Sequence, residues 1–571
     1  MKKVLGTGPA AWRAILLMLV LVPLLVPLYR QYWIQNHEGY SYALRVKEVL
    51  RCWHDGAFSS RWFPDLYYGQ GYPFLCFYAP LSIVTPAALA WAGADVLLAL
   101  KLAMTLATVL AALGAYRLAR RGLSPSSAFV ASVLYTLAPY HVSNLYVRGD
   151  IAEYFAMGFL PWGVEAVLAL RERRSPRHVA AVGVFGAGAI LSHNLLGLFT
   201  GGAMALTGLV AVATSRERLR TGLLAAAGGA LALGLSAFFW IPALAEQPWV
   251  KTFKMLDAEY AVTANFQPLA SLLGLGERPA TEAGMPVLLG LGWAAVPLIV
   301  VAVVFVRRLA RETRPLLAVA AILLIGGAFL THRASRAIYE HVPLLQFTQF
   351  PWRFYALVSL GAALAAAFGF ELLSGRLRPV LRVTGAALVS VAAYAAAWGA
   401  IAPAPSLPFF PDLLSFERMR AVFTTTTGRN EYMPRWVTKA GAPVGFVDGV
   451  KVQGDAAVRE VVRRVGRYDF GVDANGPSVI RLQDVYYPVW NVTLNGRRVE
   501  ARAAAGDGHV EIDVPAGTWR VQARLVLTRL RAATAILSGA LAMATIGLLV
   551  WPARRATASP PHGETASSSR R

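Results

Sequence analysis

The sequence predicts a polytopic α-helical membrane protein that carries a β-rich domain near its C-terminus. Three observations point there. Of 571 residues, 56% are hydrophobic and only 15% charged, against roughly a quarter charged in soluble globular chains. Apolar runs of about 20 residues, the length that crosses a bilayer as a helix, recur along the chain. Across 402–528 the pattern turns polar and alternates, as in Trp519-Arg520-Val521-Gln522-Ala523-Arg524-Leu525, which is the period of a half-buried strand. A soluble enzyme is excluded. The net charge of +23 is dispersed as short arginine clusters between apolar runs, not gathered in one patch. That pattern suits membrane topology and argues against a nucleic-acid partner.

The elements follow in order. The first apolar run, 14–28, comes after Lys2, Lys3 and Arg13 and is followed by Tyr29-Arg30-Gln31-Tyr32-Trp33 instead of a small-residue cleavage site, so it is expected to stay as a first span. In the loop 31–94, Tyr42, Val46, Val49, Leu50 and Trp53 share one helical face, expected to lie flat on the bilayer. The run 72–91 is broken by Pro73, Pro80 and Pro86 and is expected to dip into the membrane without crossing. Further spans are expected at 95–118, 124–146, 152–170, 178–193, 195–214, 221–243, 285–306, 315–331, 352–373, 383–400 and 531–551, about twelve in all. If 72–91 does not cross, the arginine clusters at 117–121, 171–177, 216–220, 307–314, 376–382 and 554–555 all share the side of the N-terminal lysines. The positive-inside rule then places both termini in the cytoplasm and the β domain outside an inner, multi-pass cell membrane.

The expected divisions are a transmembrane domain over 1–401, an external β domain over 402–528, a final helix over 529–552 and a disordered Ser-, Pro- and Ala-rich cytoplasmic tail over 553–571. Asn495-Gly496 between two alternating runs predicts a type I′ hairpin, and a small β-sandwich is the expected fold of this region. The two cysteines, Cys52 and Cys76, form no metal or redox motif and are expected as free buried thiols.

Polar residues collect at the predicted outer ends of spans. Glu38, just past the first span, is either a partly desolvated general base or a solvated loop carboxylate, the commoner situation. Asp150 and Glu153 share a helix face and could hold a cation or a sugar; the same pair is a helix-capping arrangement, and the two roles are compatible. His193-Asn194 sits at a turn between spans, where a lone histidine is more often structural than ligating. Positive-inside topology requires no arginine or lysine outside, so Arg148, Lys251, Lys254, Arg333, Arg336 and Arg353 are candidates for the phosphate of a lipid carrier. Trp352-Arg353 reads equally as an interfacial tryptophan with a snorkelling arginine. The aromatic stretch 67–78, with Tyr72 and Tyr78, is either a platform for a sugar or isoprenoid or part of an aromatic belt. No HExxH, Walker or dinucleotide motif occurs in its proper context, and ionisable groups near the bilayer midplane, which a transporter would carry, are absent from the predicted spans.

The ordered set His37-Glu38, Gly69-Gln70-Gly71-Tyr72-Pro73 with Phe77-Tyr78-Ala79-Pro80, Arg148-Gly149-Asp150 with Glu153, Ser192-His193-Asn194, Gln349-Phe350-Pro351-Trp352-Arg353 and Glu431-Tyr432-Met433-Pro434 resembles one family. It resembles the bacterial integral membrane proteins labelled 6-pyruvoyl-tetrahydropterin synthase-related, which are similar to GT-C glycosyltransferases, including the membrane proteins that glycosylate lipoteichoic acid. Tyr487-Pro488-Val489-Trp490 fits too. The pterin label is inherited naming, since nothing here has the histidine spacing of that soluble enzyme's zinc site. The resemblance implies a GT-C-like fold and transfer of a sugar, with inversion, from a polyprenyl-phosphate donor to a glycan or lipid acceptor. It implies Glu38 as catalytic carboxylate, with His37 standing where many members carry an aspartate and so assisting or replacing it. It implies Asp150 and Glu153 as a second acidic position, which in some GT-C enzymes binds a divalent metal such as Mg or Mn and in others does not. Arg353 becomes a candidate for the donor phosphate, and Tyr72, Tyr78, His193, Asn194 and Trp352 for substrate contacts. The alternatives are a non-catalytic envelope protein that binds glycan or an assembly partner, and a lipid-linked glycan transporter.

Overall fold

The computed structural model describes residues 9–29, 33–34, 36–257, 261–275, 278–280, 286–401, 406–407 and 425–550. The N-terminal lysines, the opening of the β region at 402 and the tail 553–571 lie outside the described residues. The principal helices are α1 (Pro9–Leu25), α2 (Gly39–His54), α3 (Leu81–Trp91), α4 (Val96–Ala119), α5 (Pro125–Thr136) and α6 (Ile151–Ala169). There follow α7 (Pro176–Ser192), α8 (Asn194–Thr214), α9 (Arg218–Leu235), α10 (Ala237–Glu246), α11 (Val296–Val304), α12 (Arg311–Thr331), α13 (Tyr355–Ser374), α14 (Pro379–Ile401) and α15 (Arg529–Val550).

Among the described residues seven helices are long and apolar enough to cross a membrane, or eight if α9 and α10, bent by 66°, count as one span. The remaining expected runs form shorter or interrupted helices, for local reasons. The run 124–146 breaks after α5, where Leu137 caps the helix and Pro139 opens a five-residue helix followed by a π-turn over Asn144–Arg148. Among the described residues of 285–306 the α-helix is confined to α11, because Gly290 and Gly292 adopt positive φ ahead of it. α1 holds Pro23 and passes into a 3-10 turn at Val26–Tyr29, and α7 is 17 residues long. α3, at 11 residues and a rise of about 1.5 Å per residue, is too short for a hydrocarbon core of about 30 Å, in keeping with a segment that does not cross.

α6 is the central pillar: it is apolar all round, 89% of its span is buried, and it packs against α4, α7 and α8. α13 is similarly enclosed, with 83% of its span buried. One expectation fails at α2. The first turns of its apolar face do not lie on a lipid surface: Tyr42, Val46 and Val49 are within 3% of full burial, and so are Arg45 and Glu48, while Trp53 at its end is half-buried. These first turns are used up against protein, because the first loop folds back under the β region.

The β region contains β1 (Val450–Gln453), β2 (Ala456–Arg464), β3 (Arg467–Ala474), β4 (Ser478–Val485), β5 (Trp490–Leu494), β6 (Arg497–Val499), β7 (Ala501–Ala503), β8 (His509–Val514) and β9 (Gly517–Leu525). They form a four-stranded sheet β1-β4-β8-β7 and a five-stranded sheet β2-β3-β9-β5-β6, both antiparallel. The alternation places Tyr468, Phe470, Val472, Ile480, Leu482, Val492, Ile512, Val521 and Ala523 in a shared buried core. Asn495 and Gly496 turn β5 into β6 with φ of 46° and 81°, the geometry the type I′ dipeptide predicts. Cys52 and Cys76 are both free and buried, as expected.

The region is fastened to the membrane domain by polar contacts. Trp62 Nε1 donates to Asp484 at 3.2 Å, Arg463 Nη2 donates to the Gly69 carbonyl at 2.8 Å, and Val485 N donates to the Gln70 carbonyl at 2.8 Å. Arg531 of α15 pairs with Glu246 of α10, which also accepts from Tyr487 at 2.8 Å. These contacts hold the first loop in place against the helices.

Candidate active site

Glu38 precedes α2, and its amide donates to the Arg148 carbonyl at 2.8 Å while the His37 amide donates to the Val147 carbonyl at 3.1 Å. Gly149 makes this approach possible: at φ +63° any Cβ would meet the Asn36 side chain at 2.4 Å. The chain therefore lays Glu38 against the Arg148-Gly149-Asp150 corner.

Asp150 caps α6, accepting from Glu153 N at 3.0 Å, so the capping role read from the sequence is present. Its other oxygen takes Arg148 Nη2 at 2.9 Å. Glu153, fully buried, accepts from Arg148 Nη1 at 2.6 Å and from the Tyr140 hydroxyl, with Asn144 Nδ2 at 3.5 Å. One guanidinium thus bonds to both carboxylates. Burial would raise the Asp150 carboxyl, but Arg148 and His193 beside it hold it below the usual range.

Arg353 approaches the same carboxylate from the other side. Gln349 takes a left-handed φ of 59°, and the 3-10 turn Pro351–Phe354 follows it. Arg353 Nε then stands 3.7 Å from Glu153 Oε2. Its Nη1 donates to the Thr348 carbonyl at 3.2 Å, and Nε, buried, has no hydrogen-bond acceptor among the described residues. Trp352 lies 4.9 Å beneath the Arg148 guanidinium, a cation–π contact and not an interfacial position.

A third cation, Arg45 of α2, was not picked out in the sequence. Its guanidinium stacks over Tyr42, Phe74 and Tyr78 at 4.5, 5.0 and 4.9 Å, donates to the Thr426 carbonyl and Oγ1, and lies 3.6 Å from Glu38. Tyr42, hydrogen-bonded to Tyr78 at 2.7 Å, donates to Asp150 at 3.0 Å and accepts from Ala152 N at 3.0 Å. A continuous polar chain runs from Glu38 through Arg45, Tyr78 and Tyr42 to Asp150. The available signal was an arginine three residues after Tyr42, on a face otherwise apolar.

Glu38 keeps 29% of its side chain exposed. Burial and the Asp150 charge lift its carboxyl to about 7, against the opposing pull of Arg45, Arg148 and Arg353. His193 caps α8 through Nδ1, which accepts from Leu196 N at 3.1 Å, and burial lowers its pKa against the attraction of Asp150. An Nδ1 that accepts leaves the proton of a neutral imidazole on Nε2. Asp150, Glu153 and His193 offer ligand atoms within 4.8 Å of one another, a donor set that suits a divalent cation. As they stand, however, Arg148 occupies both carboxylates and the cap occupies His193 Nδ1, so a metal would have to displace them.

Of the other sequence candidates, Tyr78 belongs to the polar chain. Asn194 ties the site to the first loop, donating to the Phe77 carbonyl at 2.8 Å. Tyr72 is buried; its hydroxyl bonds Thr427 at 3.0 Å and accepts from Tyr432 N at 3.1 Å, so it anchors the segment after residue 425 and offers no open platform. Lys251 donates to the Val437 carbonyl. Arg333 and Arg336 line a separate cavity of about 450 Å³ with His332, Thr263 and Phe266, and Arg336 pairs with Glu340 at 2.6 Å. Lys254 makes no ion pair among the described residues.

Residues 75–401 match the model of the 6-pyruvoyl-tetrahydropterin synthase related domain, described as a membrane protein. No curated protein matches. Among solved structures, the arabinofuranosyltransferase AftD from Mycobacteria is 18% identical with a TM-score of 0.48, over 71% of this chain and 28% of its own. The chain thus spans less than a third of AftD's length. ArnT from Cupriavidus metallidurans, bound to undecaprenyl phosphate, is 16% identical with a TM-score of 0.44, over 75% of this chain and 76% of its own. The Archaeoglobus fulgidus oligosaccharyltransferase is 14% identical with a TM-score of 0.40, over 69% of this chain and 56% of its own.

Proposed function

We propose that this chain, which belongs to the 6-pyruvoyl-tetrahydropterin synthase related family of membrane proteins, is a membrane glycosyltransferase working on the face of the bilayer that carries the β region. The donor is a sugar on a polyprenyl phosphate and the acceptor is a hydroxyl of an envelope glycan or lipid. The proposed orientation puts both termini in the cytoplasm, the side that the positive-inside rule favours for the arginine clusters.

One observation carries the reading: Glu38, its carboxyl lifted to about 7, stands within one polar network with three arginines, Arg45, Arg148 and Arg353, the last with a buried Nε–H that has no acceptor among the described residues. Near neutrality Glu38 is about half ionised, which suits a general base. It takes the acceptor hydroxyl's proton as that oxygen bonds the anomeric carbon from the side opposite the phosphate. The anomeric C–O bond breaks and its electron pair leaves on the phosphate. Arg353 meets the departing anion, with Arg148 behind it, and so stabilises charge where it develops. Asp150 and Glu153 hold Arg148, and Tyr42 and Arg45 hold the base. Because Arg148 already supplies the cation between the two carboxylates, no step is assigned to a metal.

The test is Glu38→Gln in membranes supplied with lipid-linked sugar. Insertion and folding should be intact, with transfer falling by about 100-fold or more. Full transfer by this variant would remove Glu38 from the reaction.

A further inference from the structure

The outer face of the five-stranded sheet carries a row of like charges. The register sets Arg464 of β2 opposite Arg467 of β3, Arg467 opposite Arg524 of β9, and Arg524 opposite Asn491 of β5. Three exposed guanidinium side chains therefore stand abreast on adjacent strands, spaced about 4.8 Å apart. Asp469 lies 3.6 Å from Arg467 but is already bound by Arg520 and by Gln522 at 3.0 Å. Among the described residues Arg464 and Arg524 have no acidic partner. Like charges directly opposite one another destabilise a sheet, and an anion from outside would relieve that repulsion.

Its place in the fold identifies that anion. β9 ends at Leu525 and α15 begins at Arg529, so the row lies at the end of the sheet nearest the membrane, Arg524 standing within about 17 Å of chain from the start of a span. The connecting Val526 and Leu527 are 39% and 65% exposed. On the other side, Val465 in the β2–β3 turn donates to Asp55 at 3.0 Å, at the end of α2. There Trp53, Phe58 and Trp91 form a cluster with centroids 5.8 to 6.2 Å apart, Phe58 being 64% and Trp91 47% exposed. Exposed aromatic rings beside exposed cations at the end of a spanning helix are the chemistry of a lipid headgroup boundary.

We propose that Arg464, Arg467 and Arg524, flanked by Trp53, Phe58 and Trp91, form a docking surface for anionic phospholipid headgroups of the leaflet beneath the β region. The guanidinium forks meet phosphate oxygens in pairs, and the rings seat among the acyl boundary. This surface serves to set the β region on the bilayer and does not depend on the transfer reaction.

The experiment uses full-length, delipidated protein in neutral detergent, titrated with phosphatidylglycerol or phosphatidylcholine and read by native mass spectrometry. The wild type should prefer phosphatidylglycerol by roughly tenfold or more at low salt, an arginine at a membrane surface contributing about fivefold each, and added salt should weaken the preference. Arg464→Gln with Arg467→Gln and Arg524→Gln should abolish it, while the three Arg→Lys changes together should keep most of it. Should the triple glutamine variant not fold, Arg524→Gln alone is expected to cost about fivefold. Absence of a preference in the wild type, or its survival in the glutamine variants, overturns the proposal. So does capture of a soluble acidic polysaccharide by a wild type that ignores phosphatidylglycerol.

Discussion

Removing the charge of Arg45 isolates what that residue does for Glu38. The two are 3.6 Å apart, with Arg45 buried and the Glu38 side chain 29% exposed. At that separation an effective dielectric of 20 gives about 4–5 kcal/mol of attraction, and water at the exposed edge reduces it to about 1.5 kcal/mol, or about one pKa unit. Arg45→Met should therefore lift the Glu38 carboxyl from about 7 to roughly 8 or above. At pH 7 the ionised fraction falls from about one half to about one tenth, so transfer drops about fivefold and recovers toward the wild-type rate near pH 9 to 10. The assay is the initial rate of sugar transfer between pH 5.5 and 9.5 under conditions where kcat/KM is measured. Arg45→Lys keeps the charge and should leave the limb near 7. If Arg45→Met lowers the rate equally at every pH and the limb does not move, Arg45 acts only by holding Thr426 and the aromatic rings, and the electrostatic argument is wrong.

Three further outcomes can be checked. Glu38 has a folded-state carboxyl at about 7 against an ordinary 4.5, so the folded protein binds that proton more tightly than the unfolded chain, and stability falls as pH rises from 4.5 through 7. The loss is at most about 3 kcal/mol, and about half that for a partly exposed group. Glu38→Gln should accordingly unfold at a higher temperature than wild type at pH 8 and match it at pH 5; an equal gap at both pH values would contradict the assignment. Glu153→Ala leaves Arg148 buried and half-paired and should cost about 3–5 kcal/mol, seen as loss of folded protein by size exclusion, whereas Asp150→Asn keeps the cap and should fold with reduced transfer. Chelation should change transfer by less than about twofold, because Arg148 already lies between the carboxylates; abolition of activity that Mg or Mn restores would assign the metal role instead.

Much of the architecture follows from local pattern. Apolar runs long enough to span become helices, as at α4, α6 and α8, since a backbone in lipid must satisfy its own hydrogen bonds. Asn495-Gly496 turned a hairpin because both residues tolerate positive φ. Where expectation and structure differ, a short-range signal was outweighed by another: Pro139 interrupts the helix of one expected span, and Gly290 and Gly292 shorten that of another.

The site divides the same way. Arg148, Asp150 and Glu153 are legible because they are neighbours on one helix start, where capping and pairing are decided within a turn. Arg353 could be singled out as an outer cation, but not that its Nε would face Glu153. Arg333 and Arg336, equal to it in the sequence, line a different cavity, and Lys251 is used by the Val437 carbonyl.

Sequence alone determined the membrane class, the strand-rich region before the last helix, and which short motifs hold unusual charge, because each depends on residues within a few positions of one another. Only the tertiary structure decided that the first turns of the apolar face of α2 are covered by protein, that Arg45 meets Thr426 across 381 residues, and that Glu38 meets the corner at Arg148. Desolvation and charge pairing depend on distance in space, and chain closure brings those groups together through intervening residues whose own pattern carries no record of the meeting.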